Sequence, residues 1–157
     1  MPILLDLPDL DATFRLGRRL GAALFPGAVV ALVGPLGAGK THLTRAIAEG
    51  LDIRDSRVVT SPTFVLMQEY PARLLMYHFD AYRLRGVADF DDLGIEEQLA
   101  GDGVCIIEWA DRVLAGLPDD HLRIEMEPTS ETTRRVTIDA TGPRHLWLLD
   151  LLAEPAC

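Results

Sequence analysis

Lysine is nearly missing from this chain, and asparagine is missing altogether. Of fifteen basic residues fourteen are arginine, and the single lysine is Lys40. Arginine is a wide planar fork and lysine a compact ammonium on a flexible stem, so a site built for a point charge resists the exchange. A lone lysine in an arginine-rich chain therefore marks a position to examine. Cysteine is scarce too. Cys105 and Cys157 make no disulfide framework, which predicts a reduced, cytoplasmic setting. Positive charge is short overall: 15 basic against 24 acidic residues, a net charge of −9. That balance weighs against direct, sequence-independent nucleic-acid binding, which needs phosphate neutralisation. No apolar run approaches the roughly 20 residues of a membrane span. The opening MPILLDLPDLD lacks the positive region of a secretory signal, so no membrane partner is expected.

What is present is an ordinary globular composition. The chain has 157 residues, 48% of them hydrophobic. That length suggests one domain over 1–157, able to bury roughly 70% of its unfolded surface. Ile3 to Leu7 reads as a short strand. Asp11 or Thr13 caps a helix to about Leu24, with Phe14, Leu16, Leu20, Ala23 and Leu24 at helical spacing. Ala28 to Val33 is a continuous apolar run, the mark of a strand buried on both faces in a parallel sheet. A glycine-rich loop follows, then a helix over 40–51. Val58 and Val59 open a further expected strand, and Phe64 to Tyr70 another. Leu74 to Asp80 and Val104 to Glu108 are strands that each end in a carboxylate. Residues 86–100 are acidic and read as short helices, with Asp89, Asp91, Asp92, Glu96 and Glu97 as a solvated face. Leu122 to Met126 and Arg135 to Ile138 predict late antiparallel strands, and Leu146 to Leu152 a closing helix. The pattern predicts an α/β three-layer fold with a mostly parallel central sheet and added antiparallel strands.

The strongest motif is Gly34-Pro35-Leu36-Gly37-Ala38-Gly39-Lys40-Thr41. It satisfies G-x-x-x-x-G-K-[ST] at every fixed position, between an expected buried strand and a helix. Glycines let successive backbone N–H groups turn toward a phosphate. The helix adds its positive N-terminal end. Lys40 would reach the β- and γ-phosphates, and the Thr41 hydroxyl would ligate Mg²⁺. A nucleoside triphosphatase also needs a carboxylate beside the loop, at the end of a neighbouring strand. Asp80 and Glu108 both qualify, either to hold the metal or to orient water. Thr63, in the turn Ser61-Pro62-Thr63-Phe64, is a weaker candidate for sensing the γ-phosphate. His78 reads as a packed residue within its strand, although Tyr82 and Arg83 make that segment polar. Trp109 reads as a core aromatic or an exposed anchor. His42 falls in the first turn of the loop's helix, where its backbone suffices.

Four blocks in order carry a family resemblance: GPLGAGKT, then SPTF with Glu69-Tyr70, then HFDAYRL over His78 to Leu84, then IEW over Ile107 to Trp109. Together they resemble the TsaE (YjeE) family of small P-loop ATPases. The loop alone is widely shared; the HFDAYRL and IEW blocks make the match specific. The resemblance implies ATP hydrolysis in the making of threonylcarbamoyladenosine at position 37 of tRNA, with TsaD-type and TsaB-type partners performing the transfer. It implies ATP and Mg²⁺ as cofactors, with Gly34, Gly37, Ala38, Gly39, Lys40, Thr41 and His42 on the nucleotide. Glu108 resembles the Mg²⁺-linked acid, Asp80 a second acidic site residue, and Thr63 part of a switch-like loop. Leu10, within Asp9 to Thr13, and Arg134 resemble positions near the nucleotide. Pro35 departs from the acid common there, and His42 from a common threonine.

The charge of −9 then implies that tRNA is met through the protein partners. Two other classes fit the loop: a small kinase acting on a nucleotide or metabolite, and a nucleotide-gated binding module with negligible hydrolysis. Dispersed arginines and an acidic 86–103 stretch disfavour a kinase lid.

Overall fold

The computed structural model describes residues 2–60 and 67–154. Its elements are β1 Ile3–Leu7, α1 Leu10–Ala23, β2 Val29–Val33, α2 Lys40–Gly50, β3 Met67–Tyr70, β4 Met76–Asp80, α3 Val87–Asp91, α4 Glu96–Ala100, β5 Val104–Glu108, β6 Leu122–Pro128, β7 Arg134–Ala140 and α5 Pro143–Ala153. Short 3-10 turns lie at Ser56–Val58, Ala110–Arg112 and Leu114–Gly116.

One sheet holds the described strands, in the order β1-β7-β6-β2-β5-β4-β3. The central four, β6, β2, β5 and β4, are parallel; β7 and β3 run against them, and β1 runs against β7. This is the expected parallel centre with antiparallel additions. β2 and β5 divide their side chains between two cores. Val30, Leu32, Val104 and Ile106 face the core under α1, α2 and α5. Val29, Ala31, Cys105 and Ile107 face a second core with Phe79, Phe90 and Ile95. Burying each such aliphatic side chain stabilises the fold by about 1.5–3 kcal/mol.

The second helical layer covers only part of the sheet. On β6 and β7, Leu122, Ile124, Met126, Val136 and Ile138 are buried, while Glu125, Glu127 and Arg135 on the opposite face are exposed. The fold is thus three layers deep over β2, β5 and β4, and two layers deep over β6, β7 and β1. The outer edges are short: Pro2 and Pro8 bracket β1, and Pro71 follows β3.

Two contacts set the helices. A Cβ on Gly21 of α1 would stand 2.1 Å from the Ile47 carbonyl oxygen of α2, so only glycine allows this approach. His145 of α5 is fully buried. Its Nε2 accepts the Val29 N–H at 3.1 Å, so its proton sits on Nδ1 and is donated to Asp120 Oδ1 at 2.7 Å. Asp120 Oδ2 in turn accepts the Arg144 N–H at 2.7 Å, capping the first turn of α5.

The sequence reading departs from the structure locally. Val58 and Val59 were expected to open a strand. Instead Asp55 caps a 3-10 turn by accepting the Arg57 N–H at 3.0 Å, and only Val59 enters the core. The last helix starts at Pro143, a residue suited to a first helical turn. Phe64 to Leu66 of the strand expected over Phe64 to Tyr70, and Cys157, lie outside the described residues.

Candidate phosphate-binding site

The loop at 34–39 runs from the end of β2 into α2. Gly39 takes φ of +101° as the residue preceding the helix, a conformation that suits glycine and starts α2 without a side-chain cap. β5 neighbours β2 in parallel, Leu32 opposite Glu108. That register brings Glu108 beside the start of α2. The Thr41 hydroxyl donates to Glu108 Oε1 at 3.1 Å. β4 neighbours β5, with Asp80 opposite Glu108. The two sequence-predicted acids therefore stand side by side at the carboxyl ends of adjacent parallel strands.

Their surroundings differ. Glu108 is 2% exposed, with Oε2 against His78 Nε2 at 2.5 Å. Asp80 is half-buried, and its Oδ1 accepts the Tyr82 N–H at 2.9 Å. Burial raises the Asp80 carboxyl above the usual range, that N–H opposes the rise, and the Glu108 charge adds to it.

Lys40 is buried. Its Nζ donates to the carbonyls of Gly34 at 2.5 Å and Pro35 at 2.9 Å, and lies 3.9 Å from the centre of the Trp109 ring. Burial lowers its pKa, opposed by the charges of Glu108, Asp111 and Asp80. Trp109 has φ of +58°, so the chain turns sharply after Glu108 and sets the indole over the loop. Such a backbone costs of order 1–3 kcal/mol in a non-glycine residue. Tyr82 packs on Trp109 with ring centres 4.8 Å apart.

Gly37, Ala38, Gly39, Lys40, Thr41, His42, Glu108, Trp109 and Arg134 line one cleft. A second cleft shares Ala38, Gly39, His42 and Arg134 with it and adds Leu10, Asp9, Thr13, Glu131 and Thr132. The expected Leu10 and Arg134 thus border the loop from opposite elements. Arg134 spends its guanidinium on the loop itself, donating to Ala38 O at 3.0 Å and Gly37 O at 3.2 Å. It straps the loop to the β6–β7 hairpin. Gly34 stands behind the cleft, its carbonyl held by Lys40. Arg83 is exposed on the turn after β4. Thr63 and its turn lie outside the described residues.

Sequence reading missed three things here. His78 reads from sequence as a packed residue in a polar segment, and nothing in that segment points to Glu108 as its partner. Asp111 lies close enough to Lys40 to influence its charge. Glu131 and Thr132 close the second cleft. The first pairing could be suspected from two strands that each end in an acid; the last has no local signal.

Thr41 and Glu108 present hard oxygen donors in mutual contact, which suits Mg²⁺. Among the described residues no three His, Cys, Asp or Glu side chains cluster as a metal cage. A Mg²⁺ that keeps its waters and takes phosphate oxygens needs no such cage. No helix among the described residues is long and apolar enough to cross a membrane.

Comparison with known proteins gives a consistent picture. The family model described as Threonylcarbamoyl adenosine biosynthesis protein TsaE matches residues 7–136. A Treponema pallidum protein named tRNA threonylcarbamoyladenosine biosynthesis protein TsaE is 42% identical over 126 residues, 80% of this chain and 92% of its own. A Bacillus subtilis protein of the same name is 38% identical over 145 residues, 92% and 89% of the two chains. The crystal structure of YdiB from Bacillus subtilis superposes with a TM-score of 0.81 at 32% identity, covering 98% of this chain and 95% of that one.

Proposed function

The chain belongs to the TsaE family, whose members are named for tRNA threonylcarbamoyladenosine biosynthesis, and we propose that it serves that pathway as a Mg²⁺-dependent ATPase. The observation that carries this reading is the 3.1 Å contact between Thr41 and Glu108, which joins the phosphate loop's helix to the end of the neighbouring strand. Two clefts that meet at Ala38 and Gly39 support it: in this reading one would take the phosphates and the other the nucleoside.

In this reading the loop's backbone N–H groups and the start of α2 hold the phosphates. Lys40 leaves the Gly34 and Pro35 carbonyls for the β- and γ-phosphate oxygens. Thr41 and Glu108 are the residues that would hold Mg²⁺, which would supply charge neutralisation on the phosphate oxygens. Asp80, beside Glu108 and with a carboxyl made more basic by burial, positions the attacking water in line with the leaving oxygen. Catalysis is then positioning and charge stabilisation, with no covalent intermediate on the protein. Trp109 and Tyr82 wall the site against solvent.

The transfer of the threonylcarbamoyl group belongs to TsaD-type and TsaB-type partners, and this chain's hydrolysis resets their complex. A net charge of −9 supports contact with tRNA through those partners rather than directly. Phosphate release from ATP tests the reading: slow turnover by the chain alone, faster turnover with the partners, and a loss of at least about 100-fold in Glu108→Gln. Equal rates with and without partners would contradict the coupling. Phosphate transfer seen only with an added small-molecule acceptor would mark a kinase instead.

A further inference from the structure

His78 lies inside β4, on the sheet face it shares with Met76 and Ile106 of the first core and with Glu108, and is fully buried. Its Nε2 meets Glu108 Oε2 at 2.5 Å, while Thr41 meets Oε1 of the same carboxylate at 3.1 Å. The other ring nitrogen, Nδ1, is buried with no hydrogen-bond partner among the described residues. A proton on Nδ1 would be a buried donor with nothing to accept it, a costly arrangement. An unprotonated Nδ1 costs less. The hydrogen-bond inventory therefore puts the proton on Nε2 and makes His78 a donor to Glu108.

The consequence concerns Glu108's freedom. Its backbone is fixed by the β2–β5 and β4–β5 pairings, but a glutamate keeps three side-chain torsions. Holding Oε2 from behind leaves Oε1 the freer oxygen and the nearer one to the Thr41 hydroxyl, 3.1 Å against 3.4 Å to Oε2. We propose that His78 is a positioning residue that fixes the Glu108 carboxylate so that Oε1 and the Thr41 hydroxyl face Mg²⁺ together. This rests on the Mg²⁺-dependent nucleotide site proposed above. Groups that hold a metal ligand from behind commonly matter by 10–100-fold in metal affinity.

The test measures binding rather than turnover. ADP is titrated calorimetrically into the full chain, with Mg²⁺ and with EDTA, for wild type, His78→Phe and His78→Gln, and thermal unfolding is followed for each. The expected result has three parts. Metal-free ADP affinity stays within about twofold in all three proteins. The gain in affinity on adding Mg²⁺ falls by about 10-fold or more in His78→Phe. His78→Gln, whose amide can donate to Glu108, recovers most of that gain. An unchanged Mg²⁺ gain in folded His78→Phe would overturn the proposal, as would equal losses with and without Mg²⁺. Failure of both variants to fold would make His78 a packing residue and also overturn it. If wild type binds ADP with no Mg²⁺ gain, the ATPase reading itself is wrong and this inference falls with it.

Discussion

The two halves of the sheet obey different rules. β2 and β5 are buried on both faces, and the core has no room along them for polar side chains. Their polar chemistry is confined to their ends, where Glu108 and the phosphate loop sit, joined by Asp80 from β4. β6 and β7 are buried on one face only, and charge is spread along the other. There Arg123 pairs with Glu125 at 2.9 Å and Arg135 with Asp6 of β1 at 3.2 Å. Those exposed pairs lie among themselves and contribute little to stability. The doubly covered half concentrates function at a strand terminus. The open half distributes solvation over a surface and lends the site Arg134, with Glu131 and Thr132 of the same hairpin at its rim.

The largest expected effect breaks the covered half at its functional end. Lys40→Arg keeps the charge but replaces a compact ammonium, which sits beneath Trp109 and between two loop carbonyls, with a broad fork. ATP turnover should fall by at least about 100-fold, read as phosphate release. Near-normal turnover would mean that the solitary lysine is an accident of composition.

A smaller effect compares the halves directly. Ile107→Ala in β5 removes a fully buried side chain from the second core and should cost about 2–5 kcal/mol in urea unfolding. Thr137→Ala on the open face of β7 should stay within about 0.5 kcal/mol. Similar losses at the two positions would erase the distinction.

The smallest effect lies where α5 is tied to β2. Burial holds the His145 pKa below its ordinary value, against the opposing influence of Asp120. The unfolded chain therefore takes up this proton first as pH falls. His145's contribution is complete above its unfolded pKa of about 6.5 and declines below it, down to the folded pKa, by at most about 1.4 kcal/mol per pH unit. Urea unfolding from pH 8 to pH 5 should show that decline, and His145→Gln should flatten it. An unchanged slope in the variant would assign the decline to other groups.

What could be read from the sequence follows from how local each feature is. The phosphate loop and VCIIE are contiguous, so the residue types, the buried strand and its terminal acid were all legible in order. The pairing of Asp80 with Glu108 was legible as two strands ending alike, though not their different surroundings. His78 was not legible, because its meaning comes from Glu108, thirty residues away. Gly21 carries no local signal within its helix, because the requirement comes from Ile47 of the facing helix. Val58 and Val59 misled because β-branched residues suggest a strand, while the capping by Asp55 is stronger locally. Along β6 and β7 little says that, among the described residues, no helix covers their outer face. Only their alternation of apolar and charged residues hints at it.

The prolines at the sheet's rims bear on how copies of this chain behave toward each other. A terminal strand presents unpaired N–H and C=O groups to any other strand that approaches. Among the described residues both terminal strands are short, five residues in β1 and four in β3. Proline adjoins β1 at both ends and β3 at its end, and proline cannot donate to a ladder. A neighbouring molecule therefore finds only a brief run to pair with, interrupted where it would extend. The open half of the sheet leaves a face to water without offering a template for fibrous growth.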